Sequence, residues 1–109
     1  MRTLKFVVDG QIIKQDPNCD FSGLVPGTEG YLQAEFLFTP EWNDCVKVAA
    51  FYSMMGVEYD PQILSDNNTC TLPTEALKLR NFKIQVVGKG QNKTLTTNKV
   101  TVSQNGGKS

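Results

Sequence analysis

Two carboxylate pairs, Asp16/Asp20 and Glu58/Asp60, are spaced closely enough to attempt acid–base work. Such chemistry needs one member held in an apolar pocket, where its proton is retained near neutral pH. Both pairs stand beside turn residues instead, which predicts solvated acids. The chain has no histidine, so its Ser and Cys side chains lack the usual base to activate them. Cys19, Cys45 and Cys70 are odd in number and widely spaced, with no Cys-x-x-Cys pair to begin a zinc site. They read as free, mostly buried thiols in a reducing compartment, with one disulfide and a spare thiol as the alternative. The run Gly88 to Thr94 imitates a phosphate loop, but Val87 stands where its upstream glycine belongs and Asn92 precedes Lys93. Its flanks read as strands, so a hairpin loop is expected. Gly107-Lys108-Ser109 has no room for the helix such a loop requires. Asp66-Asn67-Asn68 lacks the alternating oxygen ligands and closing Glu of a calcium loop. Asn67-Asn68-Thr69 and Asn92-Lys93-Thr94 match the glycosylation pattern, which matters only on a secreted chain. No catalytic, cofactor-binding or metal-ligating residue is assigned, and the chain is expected not to be an enzyme.

The chemistry that remains is contact. Eleven basic residues balance 11 acidic ones, which argues against a nucleic-acid protein held by bulk phosphate attraction. The distribution is uneven: through Leu77 four basic residues oppose all 11 acidic ones, a balance of −7, and the seven remaining basic residues follow, +7. A compact sandwich can interleave these charges, or can keep a bipolar surface that favours contact between copies. The start of the chain, Met1 to Gly10, has no long apolar core and does not read as a signal peptide. No stretch has the apolar length to span a bilayer. A soluble protein, made in the cytoplasm, is expected.

The elements that must position any contact surface centre on Tyr31 to Tyr52. Leu32, Ala34, Phe36 and Phe38 alternate with Tyr31, Gln33, Glu35 and Leu37, the period of a half-buried strand. Pro40, Asn43 and Asp44 break the ladder around Trp42, which reads as a corner plug, with ligand stacking as the sharper option. Val46, Val48, Ala50 and Tyr52 form a second apolar row opposite Lys47. Phe51 falls on the Lys47 face, so either both faces are partly covered or a bulge shifts the register.

Before this pair, Leu4, Phe6 and Val8 alternate, Asp9-Gly10 signals a hairpin, and Gln11 to Gln15 returns. Asp16 to Gly30 is a long turn-rich loop, expected to be pinned by Phe21, Leu24 and Val25. After it come an irregular strand around Pro61, a short strand from Thr69 to Leu72, and one helical turn over Thr74 to Leu79. Phe82, Ile84 and Val86 alternate next. Thr94 to Val102 closes the fold, its apolar positions out of phase, which predicts a bulge near Thr97-Asn98. The expectation is an all-β, immunoglobulin-like antiparallel β-sandwich of about seven or eight strands with one short helical turn. A small barrel is the alternative. Residues 1–103 form the single domain and 104–109 a flexible tail.

Several segments in order resemble one family: Leu32 to Phe38 with Glu41-Trp42, Val48 to Phe51, Leu72-Pro73 with Glu75-Ala76-Leu77, Phe82 to Gly88, and Leu95 to Asn98 with Val100 and Val102. Together they look like the N-terminal immunoglobulin-like domain of phage baseplate upper proteins and related tail proteins of phages infecting Firmicutes. The likeness covers about Tyr31 to Val102. It implies a sandwich packed in a virion, in the baseplate or where fibres attach, synthesised in the host bacterial cytoplasm. It offers no catalytic residues. In that family the domain usually continues into a helical linker and a distal part; here the chain stops after Gly106-Gly107-Lys108-Ser109, which fits a small structural or decoration protein.

Two functions follow as expectations. One is a structural virion module that contacts other virion proteins and copies of itself, with no cofactor, nucleic acid or membrane. Its candidate contact residues are Phe21, Leu24, Tyr31, Leu37, Trp42, Met54, Met55 and Tyr59, since aromatic and Met side chains favour interface cores. The other is a capsid decoration or a module binding carbohydrate or a host receptor, such as a surface glycan. Sugar binding needs two or three of Tyr31, Tyr52, Tyr59 and Trp42 on one face. The fold alone does not choose between them.

Overall fold

The computed structural model describes residues 1–105 and shows an all-β sandwich built from a four-stranded and a five-stranded sheet. The first strand, β1 (Arg2–Asp9), buries Leu4, Phe6 and Val8 and turns its other residues outward. Asp9 faces Ile12, leaving Gly10 and Gln11 as a two-residue loop into β2 (Ile12–Gln15). Gly10 holds φ +60°, a value that a side chain there would resist.

The strand β3 (Leu32–Phe38) lies parallel to β1, from Leu32 opposite Arg2 to Phe38 opposite Val8. The sequence predicts an antiparallel sandwich; this sheet is instead mixed, with one parallel pair. The hairpin reverses the chain once, and the segment 16–31 then carries it back to the start of β1. Parallel pairing needs a crossover of this length. The Arg2 N–H donates to the Tyr31 carbonyl at 2.8 Å, where the return ends. Phe21 packs edge-on against Phe6, with centroids 5.4 Å apart, and Leu24 is buried. The Arg2 guanidinium donates to the carbonyls of Asp20 and Ser22. Val25, expected as a third anchor, is exposed instead.

A single 3-10 turn, Pro40–Trp42, leads from β3 to β4 (Val46–Ser53) in the other sheet. Trp42 is fully buried there, as a corner plug. Its indole N–H donates to the Gly10 carbonyl at 2.8 Å, and its ring lies 5.1 Å from that of Phe38. The ring also presses on Gly88, where an added Cβ would meet it at 2.6 Å.

From β4 the chain continues through β5 (Gln62–Ile63), β6 (Thr69–Thr71) and the helical turn α1 (Thr74–Leu77). It then forms β7 (Asn81–Lys89), β8 (Thr94–Thr96) and β9 (Val100–Ser103). The sheet orders are β2-β1-β3-β6 and β5-β4-β7-β8, with β9 also on β7. The pairs β3–β6 and β5–β4–β7–β9 follow the B–E and C′–C–F–G wiring of immunoglobulin sandwiches; the parallel β1 departs from it.

The expected bulge is present. Val87 faces Thr96, but Ile84 faces Val100, so one extra residue separates β8 from β9. Thr97 satisfies β7 across this break, its hydroxyl accepting the Val86 N–H at 3.0 Å. Asn98 turns to the opposite sheet, where its Oδ1 accepts the Ile13 N–H at 2.8 Å and its own N–H donates to the Gln11 carbonyl. One side of the sandwich is thereby stapled. On the other side, the Ser65 N–H donates to the Thr69 carbonyl at 2.9 Å between β5 and β6.

The boundary expected at Ser103 falls too early. Gln104 is buried, with Nε2 donating to the carbonyls of Leu77 and Leu79 at 2.9 and 2.8 Å. These carbonyls stand at the end of α1 and just beyond it; Gln104 is the side-chain donor to both, and Leu77 also accepts the Gly27 N–H at 2.8 Å. The remainder of the expected tail, 106–109, lies outside the described residues.

Candidate docking face

The pairing of β4 with β7 is unbroken from Val46 opposite Lys89 to Ser53 opposite Phe82, so β4 carries no bulge. Ala49 and Phe51 are the residues it buries in the core. Lys47 shares that face only at the strand's end, where its ammonium stands 5.2 Å from the centre of the Phe38 ring. The row Val46, Val48, Ala50 and Tyr52 therefore points out of the sandwich, the reverse of an inward second row. The ring of Phe51 outweighs the aliphatic row in setting the phase, because it removes more apolar area from water.

This outward row floors a groove of about 530 Å³. Val48 faces Val87 on one side and Ile63 on the other, extending the apolar strip across three strands. Glu58 and Pro61, from the segment that leaves β4, form one wall, and Lys89 stands at the Val46 end. That segment is held over the sheet by a bridge between Tyr52 and Glu58 and by the Tyr59 N–H donating to the Phe51 carbonyl at 2.8 Å. Ala50 is shielded beneath, only 5% exposed. Val46 and Ile63 remain open, at 62% and 73%. They are open apolar side chains on neighbouring, paired strands, which makes this face the candidate docking surface.

The rim is polar and mainly basic. Lys83 lies opposite Tyr52 and Lys89 opposite Val46, both on the outer face. Lys99 reaches over the Tyr52 ring at 4.0 Å from its centre, a cation–π contact. The Tyr52 hydroxyl donates to Gln85 Oε1 at 3.2 Å. Burial, and then the neighbouring Glu58 charge, push the Tyr52 phenol above its ordinary pKa. It stays a neutral donor at any physiological pH.

Beyond β4, Ser53 to Gly56 closes a turn through the Gly56 N–H and the Ser53 carbonyl at 3.0 Å. Its tip presents Met54 and Met55, 51% and 91% exposed, followed by exposed Val57. Glu58, Asp60 and Glu75 line the adjoining depression with Tyr59 and Pro61. Among the described residues, no group of three or more His, Cys, Asp or Glu is arranged to hold a metal ion.

The contact residues read from sequence do not assemble on one surface. Trp42 and Leu24 are core residues and cannot meet a partner. Apolar size within a loop or corner suggests a contact in the sequence, and it is also what makes both residues anchors. Phe21 and Tyr59 are half-buried and pack on the core. Tyr31 sits in a separate depression with Arg2, Leu24 and Thr28. Leu37 is 68% exposed on the outer face of the four-stranded sheet. Met54 and Met55 lie in the turn between the groove residues Tyr52 and Glu58, and Tyr59 lies between the wall residues Glu58 and Pro61. The groove floor was missed because its residues read as a buried row. The placement of Phe51 opposite Val48 and Ala50 was the available signal. Cys19, Cys45 and Cys70 are free thiols and none lies in the groove floor. Comparison with known protein families, curated proteins and solved structures finds no match to this chain.

Proposed function

We propose that this chain is a non-enzymatic structural module of a bacteriophage virion, in the baseplate, tail or fibre attachment, acting by protein–protein contact through the outer face of the five-stranded sheet. The observation that carries the contact role is the open aliphatic strip of Val46, Val48, Val87 and Ile63 on a continuously paired β4–β7 frame. A partner segment with apolar side chains and acidic flanks fits a floor of this kind within a rim of Lys83, Lys89 and Lys99. The virion setting rests on the ordered resemblance of segments that supply β3, β4, α1, β7 and the bulged β8–β9 strand.

Sugar binding has less support. Among the described residues Trp42 is enclosed and Tyr31 lines a depression apart from those of Tyr52 and Tyr59, which leaves at most two of the four aromatics near one another. A cryo-electron microscopy map of intact particles tests the main reading. Density for the sandwich, with its five-stranded sheet against a neighbouring protein, is the expected result. Particles that lack the chain, or that hold it with this sheet facing solvent, refute the reading.

A further inference from the structure

We propose that the occupant of the groove is the Met54-Met55 turn of a second copy of this chain, in a two-fold pair that seats each turn in the other copy's groove. This rests on the docking role of the outer face and names its partner. Each copy carries both halves of the contact. The groove is apolar with Lys89, Lys83 and Lys99 at its rim. The turn is an apolar knob, Met54, Met55 and Val57, with Asp60 and Glu75 in the depression beside it, while Glu58 belongs to the wall of its own groove. The basic rim and the acids beside the knob attract, which fixes orientation as well as favouring approach. The unbranched Met side chains adapt to a shallow floor where a branched residue would need a shaped pocket.

The strand geometry sets the register. A two-fold axis running between the two outer faces, parallel to the sheets and perpendicular to β4 above Ala50, lays β4 of one copy antiparallel over β4 of the other. Position 54 of each then falls over position 46 of its partner, about 13 Å from the axis at the usual rise per residue. That places Met54 on Val46, the most open residue of the β4 row, and beside Lys89, which faces Val46. The same operation returns the second turn to the first groove. The contact is thus self-complementary and closes at two copies.

Photo-crosslinking of the full chain with p-benzoylphenylalanine in place of Met55, combined with sedimentation equilibrium of the unlabelled protein, tests the pairing. The expected result is a concentration-dependent dimer, weakened by salt, whose cross-links join position 55 to residues 46–48 or 87–89 of the other copy. The paired substitution Met54→Ser with Met55→Ser, and separately Lys89→Glu, should each raise the dissociation constant at least about tenfold while circular dichroism stays unchanged. A monomer at every concentration, open-ended assembly, or cross-links to the four-stranded sheet overturns the pairing. The broader docking role is read separately, by incorporation of the Val46→Glu protein into particles. A monomeric wild type whose Val46→Glu variant fails to incorporate ends the self-pairing alone. A Val46→Glu protein that both dimerises and incorporates like the wild type ends both.

Discussion

Gly88 sits on the core side of β7, directly under the Trp42 ring, and should not tolerate a methyl group. A Cβ built there stands 2.6 and 2.7 Å from two ring carbons and 3.2 Å from the Cys45 Cβ. Carbon–carbon contact is comfortable only from about 3.5 Å, so the ring would have to retreat by nearly ~1 Å. Retreat is blocked. Trp42 is fully buried against Phe38, and moving it would stretch its 2.8 Å bond to the Gly10 carbonyl. Forcing one extra methyl into such packing costs about 1–3 kcal/mol. Restricting the unfolded chain by replacing glycine returns about 0.4–1 kcal/mol. The net for Gly88→Ala is a loss of about 1–2 kcal/mol, or about 4–8 °C in Tm for a domain of this size. Urea titration followed by circular dichroism should show a lower midpoint at an unchanged slope. The Trp42→Phe background removes part of the clashing ring, and there Gly88→Ala should cost at least about 1 kcal/mol less, the signature of direct coupling. An unchanged midpoint for Gly88→Ala, or the same cost in both backgrounds, refutes the idea that this glycine exists to admit the tryptophan.

Asn98→Ala strips the acceptor from the Ile13 N–H and should cost about 1–3 kcal/mol, with faster amide exchange at Ile13 as the specific readout. Gln104→Leu strips the Leu79 carbonyl of its donor and leaves the Leu77 carbonyl only the Gly27 N–H, and should cost about 1–2 kcal/mol by thermal melting; an unchanged Tm would place the domain boundary back at Ser103. Burial pushes the Cys70 thiol up from an ordinary value of 9.0 to about 12. Between those values the unfolded chain binds fewer protons than the folded one, so this contribution is complete below pH 9.0 and is lost as pH rises towards about 12. Cys70→Ala should flatten the alkaline fall of the urea midpoint relative to wild type, and parallel curves for the two proteins would show that the thiol is not the cause.

What the sequence made legible follows from which interactions are local. The alternation of Leu4, Phe6 and Val8, or of Phe82, Ile84 and Val86, is a property of a few adjacent residues, and both rows are buried as read. The bulge before Val100 was visible because a mid-strand slip in phase has few other causes. The turn at Gly10 announced itself through residue type alone. The parallel partner of β1 did not, since it depends on where a long segment delivers the chain rather than on the residues of either strand. Gln104 reads as tail because nothing near it in sequence shows that the carbonyls of Leu77 and Leu79 lie within its reach.

The groove was lost for a more instructive reason. Along β4 both faces are apolar: Ala49 and Phe51 on one, Val46, Val48, Ala50 and Tyr52 on the other. A strand covered on one side only should alternate apolar and polar, and β3 and β7 largely do. A strand apolar on both faces at the centre of a sheet therefore carries a second message, namely that its outer face expects a cover. The segment through Glu58 and Pro61 shields Ala50, and leaves Val46 and Ile63 open. The core does not need those side chains, because Phe51 and Ala49 already close it. On the proposed pairing, their retention on the outside reflects a contact that the monomer lacks, with the Met54-Met55 knob at the end of the same strand as the matching half. If polar residues at positions 46 and 63 left both dimerisation and particle incorporation intact, the two-faced strand would have no cause in docking.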